Sequence, residues 1–377
     1  MRRLSLNSVD VSAHRKYFSE PLMKALGILA SSSSDLRING VRIPKLARDP
    51  VARDYFRTLL NVCKKGRFDI PLAKPAQMDA LVAADWQFTP KGCKWVRPSG
   101  RTRGFTDRKT CSKRQRKIHA VLERLFSYSD FDKGYGWTVK DDDVRTVRMK
   151  EAGVSWRAFE FQRQIVEGNR LRMCPYCNAE TTFLLVGLNT STTESRSHLD
   201  HFYPKLSFPY LAVSLCNLVP CCAHCNSSSK GGKIPFRNGR SWPHPYADSF
   251  HDMARFRYTD DAIASDPLSI LYGIPPDDLT VEFDYAKGVS GARAKCFASE
   301  MNLLDIYNQA YKKEINQIPS RLQLAMSNSP TMLQDLVDGS IKARSGLIMN
   351  CSFDPEAIPE ERLSKLTMDL VGHLTGR

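Results

Sequence analysis

Two Cys-x-x-Cys pairs, Cys174-Pro-Tyr-Cys177 and Cys222-Ala-His-Cys225, stand 44 residues apart (178 to 221), and they restrict what the middle of this chain can fold into. Each pair makes a tight knuckle presenting two thiolates, and two facing knuckles close the tetrahedral sulfur shell that Zn2+ prefers. Such a site supplies on the order of 10–16 kcal/mol in small zinc domains, enough to order a segment too short to bury a core of its own. Four thiolates leave no open position for water, so the zinc expected at Cys174, Cys177, Cys222 and Cys225 is structural. Cys-Pro-Tyr-Cys is also the spelling of a glutaredoxin-type redox pair, which opens a helix after the first strand of a thioredoxin-like fold. Here the pair follows a stretch of helical periodicity and a second pair lies in the same segment, which favours the metal. Cys222 rather than Cys221 is the expected ligand, because it keeps the two-residue gap to Cys225; Cys216 and Cys221 read as small core residues.

Six of the eleven cysteines (Cys174, Cys177, Cys216, Cys221, Cys222, Cys225) fall within 52 residues, 174 to 225. That clustering suits a reducing compartment with a metal site better than a disulfide scaffold. Residues 1–18 contain two early arginines but no apolar run of signal-peptide length, and nothing approaches the roughly 18 apolar residues of a membrane span. The expectation is a soluble, cytoplasmic protein with no membrane partner.

The 377 residues, 42% hydrophobic, leave room for two or three folded units and exclude wholesale disorder. The charge balance of 55 Lys+Arg and 40 Asp+Glu is +15, which favours an anionic partner such as nucleic acid. It is unevenly spread. Residues 1–173 hold 36 basic and 18 acidic side chains (+18), leaving 19 and 22 (−3) for 174–377, so the first half reads as the docking half.

Four regions follow from these shifts. Residues 1–98 read as a basic α+β domain, with helices over Val51 to Cys63 and Pro75 to Ala84. A β-hairpin is expected next, where Trp86 and Trp95 flank a Pro-Lys-Gly turn. Two helices and a basic hairpin fit a winged helix as well as an ordinary α+β domain with a Trp-stapled hairpin. Residues 99–153 read as a basic linker or arm: within 101–117 there are eight basic residues against one acidic, a run that suits either a solvated linker or an arm along phosphates. Residues 154–253 hold the cysteine pairs, entered by a helix between Val154 and Arg172. Residues 254–377 read as mostly helical, with Leu304, Tyr307, Tyr311, Ile315 and Ile318 as a core-facing stripe.

Between the cysteine pairs lies His198-Leu-Asp200-His201-Phe-Tyr-Pro204-Lys205, then Asn217-Leu-Val-Pro, and after Cys225 come Asn226 and, four further on, Lys230. These strings resemble the HNH nuclease family, the ββα-metal fold, in its variant with a four-cysteine structural zinc and Asn in place of the last His. The likeness covers about 60 to 70 residues, and with His244-Pro-Tyr-Ala-Asp248 downstream it is most similar to HNH proteins of prokaryotic anti-phage systems such as the Septu type. The resemblance implies an α+β chain with a small ββα-metal zinc-knuckle core, a basic N-terminal domain and a mostly helical C-terminal region. It implies an endonuclease, acting on DNA more than on RNA, in defence or on a mobile element, with a companion ATPase or sensor as a candidate partner; cutting two strands with one active site per chain would be easiest in a homodimer. It also makes His201 the general base, Asp200 and Asn226 the ligands of a catalytic cation, and Asn217 the brace of the loop that aims His201.

The chemistry asks for the same residue types. Hydrolysing a phosphodiester needs a base for the water's proton, a cation on the phosphoryl oxygens and stabilisation of the leaving alkoxide. A neutral imidazole suits the first task, and carboxylate and amide oxygens suit Mg2+. Asn226, a weaker ligand than His, favours a hard cation such as Mg2+ or Mn2+. Lys230 reads as a phosphate contact or a solvated lysine. His198, two residues from Asp200 and on its face of a strand, reads as a further metal ligand, a phosphate contact or a structural residue. His244 and Asp248 read as a second phosphate contact or a cap on the fold. The alternative function is a zinc-stabilised nucleic-acid reader that does not cleave, or a nuclease subunit that needs its partner.

Overall fold

A computed structural model of the chain describes residues 3–31, 36–43, 49–87, 113–185, 195–237, 240–259, 278–328, 358 and 360–374. The protein is of mixed α+β class. The hairpin expected after Trp86 and most of the 101–117 basic run lie outside the described residues.

The N-terminal helices form where the sequence places them. Helix Pro50–Gly66 begins at Asp49, whose carboxylate accepts from the backbone of Val51 and Ala52, with Pro50 fixing the first turn; it ends at Arg67 in a left-handed conformation. Its buried residues Ala52, Tyr55, Phe56, Leu59, Leu60 and Cys63 recur at three- and four-residue steps and face helix Glu20–Ala30. Helix Pro75–Gln87 follows.

Strands β1 (Arg37–Ile38), β2 (Val41–Arg42), β3 (Tyr135–Lys140) and β4 (Asp143–Arg148) make one sheet in the order β2-β1-β4-β3. β1 runs parallel to β4, and the other pairs are antiparallel. The turns Asn39-Gly40 and Asp141-Asp142 both take positive φ, the backbone twist that a two-residue hairpin needs. Part of the stretch read as a linker or arm is therefore folded: helix Lys113–Leu125 and the β3–β4 hairpin, with Trp137 fully buried, belong to the structure built by residues 3–87. Charge density marked this stretch, but alternate residues of β3 and β4 still turn inward.

Helix Ala158–Gly168 leads toward the cysteine segment. Strands β5 (Leu184–Leu185) and β6 (Ser195–Arg196) pair, as do β7 (His198–His201) and β8 (Leu218–Cys221), both antiparallel. β9 (Phe236–Arg237) and β10 (Arg240–Ser241) form a further small pair. The C-terminal region contains helices, as expected, but also the antiparallel strands β11 (Ala254–Tyr258) and β12 (Val281–Tyr285), against which helix Ser364–Leu374 packs. Tyr307, Tyr311, Ile315 and Ile318 are buried. Buried apolar residues from Leu4 to Leu374 form one connected core. Among the described residues, no helix is long and apolar enough to cross a membrane.

The N-terminal half also grips the segment between β7 and β8. His14 is fully buried, with Nε2 2.9 Å from the Val213 carbonyl, and its Nδ1 accepts from the Trp156 indole at 3.2 Å. Acceptance at Nδ1 requires the neutral ring, and burial pulls its pKa down to about 3. The unfolded chain takes up this proton below about pH 6.5 while the folded chain does not, so acid favours unfolding. His201 and His244 are likewise buried and pulled down to about 3. Folding stability should be full above pH 6.5 and fall by up to about 1.4 kcal/mol per pH unit per histidine as pH drops toward 4. Urea titrations at pH 7 and pH 5 measure the slope, which His14→Gln should flatten whatever it does to absolute stability.

Candidate metal centre and the adjoining hairpin

Local backbone geometry builds the first knuckle. Met173 and Thr181 form a bridge, the Cys174 N–H donates to the Glu180 carbonyl at 2.8 Å, and the Asn178 N–H donates to the Cys174 carbonyl at 2.8 Å. Asn178 closes the turn at φ 54°, a conformation that Asn adopts more readily than most side chains. The second knuckle lies where β8 passes into the short helix His224–Lys230. There the Cys225 N–H donates to Cys222 Sγ at 3.4 Å. The four sulfurs of Cys174, Cys177, Cys222 and Cys225 lie within 4.8 Å of one another, and all four residues are buried. Zinc–sulfur bonds of about 2.3 Å set tetrahedral sulfur–sulfur edges near 3.8 Å, so the quartet fits a zinc-like ion with small shifts. Hydrogen bonds from the other cysteines hold the Cys177 thiol well below its ordinary value, while burial pushes Cys174 well above it. A cation would release all four protons. Cys216 and Cys221 are buried outside the quartet.

The C-terminal region clasps this first knuckle, a role that sequence reading did not give it. Tyr307 Oη donates to the Cys177 carbonyl, and Tyr311 Oη lies 2.5 Å from Glu180 Oε1. Asn178 Nδ2 donates to the Ile358 carbonyl at 2.7 Å, and its Oδ1 accepts from the Lys365 N–H at 3.2 Å. The apolar stripe announced buried residues, but nothing in its spacing told what the tyrosine hydroxyls would meet.

β7 and β8 pair with His198 opposite Cys221, Asp200 opposite Val219 and His201 opposite Leu218. Strand alternation turns His198 and Asp200 to one face and His201 to the other. Asp200, 4% exposed, has both oxygens engaged: Oδ2 accepts from Tyr176 Oη at 2.7 Å, and Oδ1 accepts from Lys230 Nζ at 3.0 Å. Lys230 is only 1% exposed, and its nitrogen also donates to the His201 carbonyl at 2.7 Å. The lysine expected in solvent or on a phosphate is thus drawn inward by a buried carboxylate, whose charge needs a partner once water is gone. Tyr176, from inside the first Cys-x-x-Cys, extends the tie to the knuckle; as one of two unspecified positions it gave no signal.

His201 is 9% exposed. Its Nε2 lies 3.0 Å from the Ala212 carbonyl, which only accepts, so Nε2 carries the proton and Nδ1 keeps the lone pair. Burial, then the Lys205 charge, hold the ring neutral with a pKa of about 3. The Tyr128 ring packs edge-on at 4.6 Å, a neighbour from 73 residues earlier that periodicity could not reveal. Asn217 is fully buried and braces the loop after His201. Its Oδ1 accepts from the Tyr203 N–H at 2.7 Å, and its Nδ2 donates to the carbonyls of Tyr203 and Leu211, each at 3.0 Å.

The other residues divide. Asn226 Nδ2 and His198 Nδ1 lie 2.8 Å apart at the surface, so strand and helix bring these two together. His224 Nε2 lies 3.0 Å from Ser229 Oγ. His244 is buried rather than open to a phosphate: its ring sits 4.1 Å from Phe202, and its backbone N–H donates to Asp248, which Arg293 holds at 2.7 and 3.2 Å. No family model, no curated protein and no solved structure matches this chain.

Proposed function

We propose that this protein is a metal-dependent endonuclease of HNH type that hydrolyses phosphodiester bonds in DNA, with His201 as the general base. The observation that carries the reading is the β7–β8 hairpin running into helix His224–Lys230, tied to the cysteine quartet through Tyr176 and Asp200, with His201 neutral on its far face. The Ala212 carbonyl fixes the tautomer, leaving Nδ1 to take a proton from water, and Asn217 holds the connecting loop. Asp200 and Asn226 would hold a Mg2+ or Mn2+ ion, which supplies charge neutralisation at the phosphoryl oxygens. Asp200 Oδ1 already faces a positive group, the Lys230 ammonium, so its surroundings accept a cation, provided that Lys230 yields. The surplus of basic residues in 1–173 supports a nucleic-acid partner, and a companion ATPase or sensor and a dimeric, defence-related role belong to the same proposal.

A second reading has its own support. With both Asp200 oxygens engaged, the hairpin also suits a zinc-stabilised DNA reader without cleavage. The test incubates purified protein and its His201→Ala variant with plasmid DNA and Mg2+ or Mn2+. Wild type should nick or cut, and the variant should lose at least about 10²-fold in rate. Equal cutting by the variant overturns the role of His201. Salt-sensitive binding that survives both His201→Ala and Asp200→Ala, with no nicking in either cation, favours the reader.

A further inference from the structure

Beside the His201 ring the chain gathers positive charge that neither the motif nor the cysteine quartet explains. The Tyr128 ring lies edge-on to the imidazole at 4.6 Å, and Lys205 Nζ stands 4.9 Å from the centre of that same ring. Arg196, on β6 just before the hairpin, lies near enough to the Tyr128 hydroxyl for its charge to offset part of the rise that burial gives that group, and 5.9 Å from the Phe159 ring, which Arg157 also overlies at 5.2 Å. The Arg196 guanidinium pairs with Asp132, and Asp132 is also the carboxylate that Lys205 senses. Two cations thus face one carboxylate in this cluster, and Arg196 Nη1 is buried with no hydrogen-bond partner among the described residues. A buried guanidinium N–H without an acceptor is unfavourable, and an incoming oxygen would relieve it.

We propose that Lys205 and Arg196, positioned by Tyr128, form a subsite for a backbone phosphate of DNA next to His201. This rests on the reading of the protein as a nucleic-acid enzyme and adds residues of the basic half and of β6 to its contact surface. An oxyanion is the ligand that fits: its charge answers the unbalanced cation, and its oxygens accept in the plane of a guanidinium fork while meeting an ammonium as a point charge. Each cation has an aromatic face to rest on, Lys205 on Tyr128 and Arg196 on Phe159, which limits the positions it takes.

The test measures binding of a fluorescein-labelled duplex DNA to the zinc-loaded protein, without added Mg2+ or Mn2+ and without chelator, across a salt series, for wild type, Lys205→Gln, Arg196→Gln and Tyr128→Phe. Lys205 is the reporter least able to disturb folding, because it is exposed. Loss of one phosphate contact makes the slope of log K against log salt shallower by about 0.9, which a purely structural residue would not do. Lys205→Gln and Arg196→Gln should each show that change, and Tyr128→Phe should weaken binding while keeping the slope. Wild-type slopes in both charge variants overturn the subsite, as does a wild-type protein that binds no DNA. The two readings fail separately. If the slopes shift but His201→Ala cleaves like wild type, the proposed catalysis falls and the subsite stands. If His201→Ala abolishes cleavage while both slopes stay unchanged, the subsite falls alone.

Discussion

Wild type should purify with about one zinc ion per chain, and a Cys177→Ser chain should purify without it and unfold at markedly lower urea concentration. The quartet is buried and its four sulfurs converge, so the ion's binding free energy is also folding free energy, on the order of 10–16 kcal/mol in small zinc domains. The consequences would spread along named bonds. The Cys177 carbonyl accepts from Tyr307, the neighbouring Asn178 anchors Ile358 and Lys365, and Tyr176 in the same knuckle holds Asp200. Losing this knuckle therefore loosens both the C-terminal clasp and the β7–β8 hairpin. Cys216→Ala and Cys221→Ala are the controls: each residue is buried but outside the quartet, and each variant should keep its zinc. Metal analysis with chelator-dependent unfolding decides the matter. A zinc-free protein with wild-type stability would remove the metal from the account.

Lys230→Met should destabilise the protein by about 3–5 kcal/mol, because it strips the charge partner from a carboxylate that is 4% exposed. Among the described residues, Tyr176 would then be left as the remaining side-chain donor to Asp200. Replacing the whole arrangement, with Asp200→Leu and Tyr176→Phe added, should recover most of the loss, since buried ion pairs exchanged for apolar groups of similar size are often neutral in energy. Urea denaturation of the single and combined variants at pH 7 gives the coupling directly. A Lys230→Met loss under about 1 kcal/mol would mean that Asp200 reaches water. Its carboxylate would then be open to a catalytic cation without first giving up the lysine.

The helices over Val51 to Cys63 and Pro75 to Ala84 were readable because apolar spacing and N-terminal signals are local, and the structure extends them to Pro50–Gly66 and Pro75–Gln87. The stretch 99–153 was misread in part, because a high density of Lys and Arg hides the alternation that buries Trp137 and Val144 in β3 and β4. The strands of the C-terminal region were missed for a related reason: β11 and β12 are five residues each and find their burial against one another, helix Ser364–Leu374 and helix Val289–Glu300.

By itself the sequence determined the sulfur quartet, because a two-residue gap already aims two thiolates together and only one pairing of knuckles was on offer. It also supplied the polar residues of the hairpin and the brace at Asn217, whose partners lie within 14 residues. Tertiary structure alone decided how those residues are used. It turned Lys230 inward onto Asp200 across 30 positions, set Tyr128 against His201, and closed the first knuckle with Tyr307 from 130 positions away. The physical reason is burial: whether a lysine meets water or a carboxylate depends on what covers it, and the covering elements come from distant parts of the chain.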